Sequence, residues 1–378
     1  AHVRKTEKSY NSEIGLPLTI LGCPNGWNNP VVWFQNFFKG LWLLLYPHKY
    51  PKWLILEVGI GKAGDMKKTA LWLKTDVVVM TAIGETPVHI EFFNSRKHLI
   101  EEKSALIKTL KKDGLLILNA DDEAVIEMKN KSKNRVLTFG FAEGVDIRGS
   151  SLNISYDENN IPRGIVFRVD EVGNSLPVTI EGVFGKNHVY ASLAALAVSS
   201  GLKFNIIEAV NALKNYEAPP GRMRLLAGLN DSLIIDDTYN SSPIACEIAL
   251  RTLGEVKAQR KIAILGDMLE LGKHTIEAHK NIGKIAKESA EVLVVVGPRA
   301  QDIKNGALEN GMKKEDIFEF SNSTEAGEFM KNFIQKGDLI LVKGSQGMRM
   351  ERTVLALMAH PEDKEKLLVR QDQEWLKR

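Results

Sequence analysis

The chain has 378 residues, enough for two or three domains, and its 44% hydrophobic and 26% charged residues are the balance of an ordinary globular protein. A net charge of +3 excludes nucleic acid as a main partner. Two cysteines, Cys23 and Cys246, exclude a disulfide framework and point to a reducing compartment, the cytoplasm.

In chain order, the opening residues carry charge without the apolar run of a secretory signal. Residues 9–21 predict a polar loop entering a strand or a short helix. Residues 31–46 (VVWFQNFFKGLWLLLY) are rich in Trp, Phe and Leu, with Lys39 as their only charge. The stretch is shorter than the roughly 20 residues that span a bilayer. It is either a helix packed on the core or domain contact, or a peripheral membrane contact lying in the interface beside the basic residues 48–52. Residues 52–59, 76–81 and 114–122 read as buried strands, the first and last ending in acid, and residues 95–110 read as helix. Strands alternating with helices argue for βαβ units and a mostly parallel sheet.

Between about 135 and 181 the pattern shifts to short alternating strands, among them 166–169 and 177–180, which predicts a small antiparallel element. Residues 185–200 return to helix. Residues 215–221 (NYEAPPG) form the best linker, because paired prolines and a glycine stop regular structure. Beyond it, strands at 233–236, 261–265, 292–296 and 338–342 repeat the α/β theme. The last residues, from 361 on, are charged and predict a peripheral helix or tail.

The residues that carry chemistry sit where these strands end, which is where open α/β sheets bind ligands. Asp236 and Asp237 follow an apolar run and precede Thr238-Tyr239-Asn240-Ser241-Ser242-Pro243. A helix cap needs only one such polar residue, so the pair reads as a site. Arg222, after the linker, offers a guanidinium for phosphate. Lys343-Gly344-Ser345 lets backbone N–H groups approach an anion, and Gly266-Asp267-Met268-Leu269-Glu270-Leu271-Gly272 adds acid. In the first half the candidates are Glu57 before a Gly-rich turn, His89 on a loop, and Lys103 on a helix. Taken singly, His89 reads as an ordinary histidine and Lys103 as a helix-surface lysine.

Gly221-Arg222, Asp236-Asp237-Thr238-Tyr239-Asn240-Ser241, Gly266-Asp267-Met268-Leu269-Glu270-Leu271-Gly272 and Lys343-Gly344-Ser345, in that order, resemble the C-terminal half of the Mur ligases. Tyr10-Asn11-Ser12-Glu13-Ile14-Gly15, Leu56-Glu57-Val58-Gly59 and Asn119-Ala120-Asp121-Asp122 are similar to the same family's first half, so the resemblance runs from about residue 5 to 352. It points to the branch that joins D-alanyl-D-alanine to UDP-N-acetylmuramoyl-tripeptide. The fold it implies is an α/β central ATPase domain, with a mostly parallel sheet and a small antiparallel element, plus a C-terminal Rossmann-like α/β domain. The divisions expected are 1–216, 217–358 and a charged helical tail at 359–378.

The resemblance implies an ATP- and Mg²⁺-dependent ligase working through an acyl phosphate in peptidoglycan precursor synthesis. By it, Glu57 and His89 match metal positions, and Lys103 matches a lysine that is carbamylated and holds a second magnesium. Arg222, Asp237 and Asn240 match nucleotide contacts, with Asn187 grouped beside them. Lys343 and Ser345 match positions near the incoming substrate or acyl phosphate.

Three departures stand out. The family's G-x-x-G-K-[ST] phosphate loop is not in this sequence, Gly59-Ile60-Gly61-Lys62-Ala63 being a different turn after a different strand. The expectation is a fragment of a longer ligase, without the family's UDP-recognition domain and with one central strand of its parallel sheet missing. Ala191 stands where the family has an asparagine on the adenine, and the insertion at 31–47 is unusual. The alternatives are a ligase like folylpolyglutamate synthase and a non-catalytic binding relative. The missing phosphate loop favours the second, whereas retention of Glu57, His89 and Lys103 speaks against it.

Overall fold

The computed structural model describes residues 2–6, 10–46, 49–84, 93–171, 173–372 and 375. Two compact units divide the chain, one of Ala1–Leu118 with Asp122–Val136, the other of Asn119–Asp121 with Leu137–Arg378.

The first unit opens with β1 (Val3–Lys5), α1 (Gly15–Leu21), α2 (Pro30–Leu45), β2 (Trp53–Ile55), α3 (Asp65–Trp72) and β3 (Thr75–Met80). It continues with α4 (Arg96–Ser104), β4 (Leu110–Asn119) and α5 (Glu123–Ile126). Strands β1 and β2 form a parallel pair of their own, and β3 lies parallel to β4. Val78, Met80, Leu116 and Leu118 pack with Leu99 and Val125 into the unit's core. Helix starts follow local chemistry: Ser95 caps α4, Asp122 caps α5, and Asn29 caps α2, with Pro30 supplying the fixed φ of a first helical position. The N-terminus of α3 is met instead by a distant carboxylate, Glu102 Oε1, which accepts from Met66 N at 2.9 Å and Lys67 N at 3.3 Å.

Residues 31–45 of this stretch are helical, as the pattern predicts, but most of the helix is not buried in a core. Asn36 is the one buried residue of α2. Val31, Phe34, Phe37, Phe38, Leu41, Trp42, Leu44 and Leu45 are exposed, and Val32, Asn36, Gly40 and Leu43 make the inner face. Of residues 9–21, Gly15–Leu21 form the helix α1.

The second unit begins with β5 (Arg135–Gly140), β6 (Ile147–Tyr156), β7 (Pro162–Glu171), β8 (Asn174–Glu181), α6 (Lys186–Gly201) and α7 (Ile206–Ala212). Strands β6, β7 and β8 pair antiparallel, which is the predicted element in longer strands. After the linker come β9 (Arg224–Ala227), β10 (Leu233–Asp237), α8 (Pro243–Glu255), β11 (Arg260–Gly266), α9 (Thr275–Ser289) and β12 (Val292–Val296). Then follow α10 (Gln301–Glu309), β13 (Ile317–Phe320), α11 (Ser323–Phe333), β14 (Asp338–Lys343), α12 (Glu351–Leu357) and α13 (Lys364–Leu367).

These strands build a six-stranded sheet in the order β13-β12-β11-β14-β10-β9, parallel except for β9. Every residue of β12 and β14 is buried, as expected of strands covered on both faces. The chain moves outward from β11 to β13 and then returns to insert β14 between β11 and β10. Three carboxyl ends therefore lie side by side where the winding reverses, the place such sheets reserve for ligands. The four-residue strands β9 and β13 are too short for a periodic signal and escape the sequence reading.

Of the expected peripheral tail, residues 361–367 are largely exposed and include the short helix α13, but the residues that follow are anchored. Leu368 joins the core beside Leu357, and the Arg370 side chain is 5% exposed. Charge along 361–378 hides this, because the anchoring residues are only three.

Helices α9 and α10 cross through glycines. A Cβ on Gly283 would lie 1.9 Å from Ile303 O, and one on Gly306 2.0 Å from Lys280 O. Backbone cannot yield as a side chain does, so Gly283→Ala should destabilise the protein by at least about 2 kcal/mol, seen as a lower urea midpoint.

Candidate functional site

The ends of β10 and β14 meet through a buried ion pair, and the loop after β11 joins them through Ser345. Lys343 at the end of β14 and Asp237 at the end of β10 are register partners on adjacent strands. Lys343 Nζ donates to Asp237 Oδ2 at 2.6 Å and to Asn240 O at 2.9 Å, and Lys343 is 2% exposed. Asp237 Oδ1 accepts from Met223 N at 3.2 Å. Asn240 Oδ1 accepts from Ser241 N and from Gln346 N, which ties the β10 loop to the β14 loop a second time. Ser345 Oγ accepts from Leu269 N at 2.8 Å and donates to Ser241 O at 3.3 Å, and Ser345 N donates to Asp267 O. The hydroxyl therefore joins all three loops.

Asp236 turns the other way. Its carboxylate accepts from Gly221 N at 3.1 Å, Thr238 N at 3.2 Å and Thr238 Oγ1 at 2.6 Å. Gly221 has a positive φ of 70°, and a Cβ there would meet Tyr239 N at 2.8 Å, so only glycine fits. That fit delivers Arg222 to the surface with its guanidinium 3.9 Å from the Tyr239 ring centroid. Complete burial, with Asp237 adding to it, raises the Asp236 carboxyl to about 6 against the hydrogen bonds that favour its charge.

Several supports were not singled out from the sequence. Arg370 donates to Tyr239 O and Thr238 O and pairs with Glu351 at 2.9 Å. His188 Nε2 donates to Arg222 O at 2.9 Å, while Nδ1 accepts from the Tyr216 hydroxyl, and burial lowers the imidazole's pKa. His279 accepts from Met268 N through Nε2. None of them stands at a strand end, the one signal the reading used.

Asn187, beside His188, is exposed in the first turn of α6. In the same unit, Asp121 accepts from Phe141 N, Ala142 N and Tyr190 Oη, and Lys186 Nζ lies 4.1 Å from the Phe141 ring centroid. The structure thus links Arg222, Asp237, Asn240, Lys343 and Ser345 in one network, with Asn187 one residue from its His188 support.

The first-unit candidates are not gathered in this way. Glu57 is exposed, and its Oε1 accepts from Asn11 Nδ2 at 2.9 Å. Lys103 is partly buried in the last turn of α4, where desolvation lowers its pKa and Asp122 opposes the shift. Asp122 itself accepts from Ile83 N and Gly84 N. His89 lies outside the described residues. Among the described residues, no three His, Cys, Asp or Glu side chains gather as a metal cluster.

Polar side chains collected at the carboxyl edge of a Rossmann-like sheet define a nucleotide-site class of α/β protein. Comparison with known proteins narrows this. Residues 40–199 match the Mur ligase middle domain, and residues 221–346 match the Mur ligase, glutamate ligase domain. Together these cover well over half of the sequence, and the chain belongs to the Mur ligase family. It is 27% identical over 361 residues to the UDP-N-acetylmuramoyl-tripeptide--D-alanyl-D-alanine ligase of Bacillus subtilis, spanning 95% of this chain and 70% of that protein. The crystal structure of MurF ligase from Thermotoga maritima in complex with ADP shares the fold, with TM-score 0.74 and 24% identity over 97% of this chain and 74% of that one. A MurF structure from Acinetobacter baumannii gives TM-score 0.75 at 22% identity, covering 94% and 70%.

Two predictions follow from the buried carboxylates. Lys343→Met leaves Asp237 buried without its cation and should cost about 3–5 kcal/mol, much of it recovered in the double variant with Asp237→Asn, in a double-mutant cycle of urea unfolding. For Asp236, the folded pKa of about 6 exceeds the ordinary 3.8, so the folded state holds its proton more tightly. Its contribution to stability should therefore fall as pH rises through that window, by roughly 1.4 kcal/mol per pH unit, and stay low above it. Asp236→Asn should flatten this slope in unfolding measured from pH 4 to 7.

Proposed function

We propose that the chain is an ATP-dependent amide ligase that adds D-alanyl-D-alanine to UDP-N-acetylmuramoyl-tripeptide. The observation that carries this reading is the ordered pair of Mur ligase domains, within an alignment that covers 95% of the chain and runs to a ligase of that activity. Residues 1–216 then form the nucleotide-binding part and 217–358 the C-terminal part. Free, buried Cys23 and Cys246 suit an ATP-rich, reducing cytoplasm.

In this chemistry the peptide carboxylate attacks the γ-phosphorus of ATP and ADP leaves. The amine of D-alanyl-D-alanine adds to the acyl carbon of the resulting acyl phosphate. The tetrahedral intermediate then expels phosphate, which carries away one carboxylate oxygen. Charge builds on the transferring phosphoryl group, so cations aimed at it lower the barrier.

Arg222, exposed and held over Tyr239, is a cation available to the nucleotide phosphates, and Asn187 is an open amide for the same ligand. Asp237, Asn240, Lys343 and Ser345 serve by shape. Their polar atoms face each other, and the network they form fixes the loops on which Arg222 and the β14 backbone N–H groups sit.

Magnesium neutralises phosphate charge when bound, and as a hard cation it takes oxygen ligands. The exposed Glu57 carboxylate suits it. Lys103 suits it only as a carbamate, formed when its free amine adds CO₂ and releases a proton. Burial of Lys103 favours that reaction, because it raises the fraction of unprotonated amine.

The test is the native polypeptide, assayed with ATP, Mg²⁺, UDP-N-acetylmuramoyl-tripeptide and D-alanyl-D-alanine by mass spectrometry. The expected result is the pentapeptide nucleotide with one ADP per product. Turnover of folate and glutamate instead, or binding without turnover of either acceptor set, overturns the reading. Lys103→Ala should lower ligation at least about a hundred-fold, and stripping CO₂ from the wild-type assay should lower its rate until bicarbonate is restored.

A further inference from the structure

We infer that α2 is a membrane-surface anchor, which lays its apolar face into an anionic lipid bilayer. The inference stands on this helix alone and is independent of the ligase reading. Taken at 100° per residue, Leu44, Phe37, Leu41, Phe34, Leu45, Phe38, Val31 and Trp42 fall on one continuous face, and all of them are exposed. Leu44 is 85% exposed, Phe37 68% and Phe34 64%.

The opposite side is fixed to the unit. Asn36 Nδ2 donates to Pro24 O at 2.8 Å, Lys39 Nζ donates to Gly22 O, and Gly40 faces the Leu21 side chain. Asn36 and Lys39 thus tie the helix down on its inner side, with Val32 and Leu43, while most of its apolar residues look out, the reverse of an ordinary surface helix. The exposed rings are ordered among themselves, Phe34 against Phe38 at 4.5 Å and Trp42 stacked on Tyr46 at 4.2 Å. An apolar patch this continuous marks an interaction surface.

Charge selects the occupant. Between Glu13 and Glu57 the sequence has no Asp or Glu, yet it holds the exposed Lys49 and Lys52. A second copy docked about a two-fold axis would set these lysines against each other with no local acid to meet them. Anionic headgroups meet them directly. The aromatic content agrees, since Trp33, Trp42, Tyr46 and Tyr50 are the side chains that settle at the boundary between headgroups and acyl chains. No described helix is long and apolar enough to cross a membrane, and at 16 residues α2 reaches only about 24 Å, so it lies in the interface plane.

The experiment is flotation of the full chain with vesicles of phosphatidylcholine alone and of phosphatidylcholine mixed with phosphatidylglycerol. Tryptophan quenching by lipids brominated on their acyl chains is read in parallel. The expected result is binding to the mixed vesicles, weakened by salt, with quenching in the wild type. Phe34→Ser/Phe37→Ser/Trp42→Ser should lower partitioning at least about a hundred-fold, and Lys49→Gln/Lys52→Gln roughly thirty-fold. The triple variant replaces exposed side chains only, so an unchanged thermal midpoint shows that it folds. Absence of wild-type binding overturns the inference, as does binding that survives the serines or occurs without acyl-chain quenching. Concentration-dependent dimerisation that the serines abolish, without vesicle binding, overturns it in favour of a contact between copies.

Discussion

The edge of the second unit depends on one buried ion pair. Two charges out of water are costly, and Lys343 and Asp237 are tolerated only because each is satisfied on more than one side, by the Asn240 carbonyl and the Met223 amide. That requirement fixes where β10 and β14 end relative to each other. It also fixes the backbone of the Asn240 loop and, through Asp236 and Gly221, the placement of Arg222. A single electrostatic constraint thereby turns a parallel sheet into a shaped edge that presents the Arg222 guanidinium.

Much of the fold was legible because its long elements are chemically plain. Leu233–Asp237, Arg260–Gly266, Val292–Val296 and Asp338–Lys343 are apolar runs that end in polar residues, and a strand buried on both faces leaves no other reading. The short strands β9 and β13 carry too few residues for a period to register. The tail misled for a different reason. Three residues, Leu368 to Arg370, tie it to the core, and their neighbours' charge outweighs them in any window. Helix α2 was legible as a helix, but the sequence left its facing open. Which side turns inward is decided by Asn36, Lys39 and Gly40, polar or small residues that a hydrophobicity pattern places on the outside.

The site was legible as positions and less so as roles. Strand ends identified Asp237, Asn240, Lys343 and Ser345, and the structure links all four. Residue type alone suggested groups that reach a ligand, whereas the geometry turns these side chains toward one another. The supports His188, His279 and Arg370 could not be read from spacing, because their partners lie 34, 11 and 131 residues away. In the first unit Glu57 is exposed and Lys103 partly desolvated, and the metal role proposed for them requires a chemical modification of Lys103.

In the proposed ligation a peptide carboxylate is activated by phosphorylation and then taken by an amine. The most direct measurement is to label both oxygens of the tripeptide's terminal carboxylate with ¹⁸O and follow the label through a single turnover. The account predicts one labelled oxygen in inorganic phosphate, the other in the new amide, ADP as the nucleotide product, and no product without D-alanyl-D-alanine. Label found in AMP, or phosphate released without label, would contradict it.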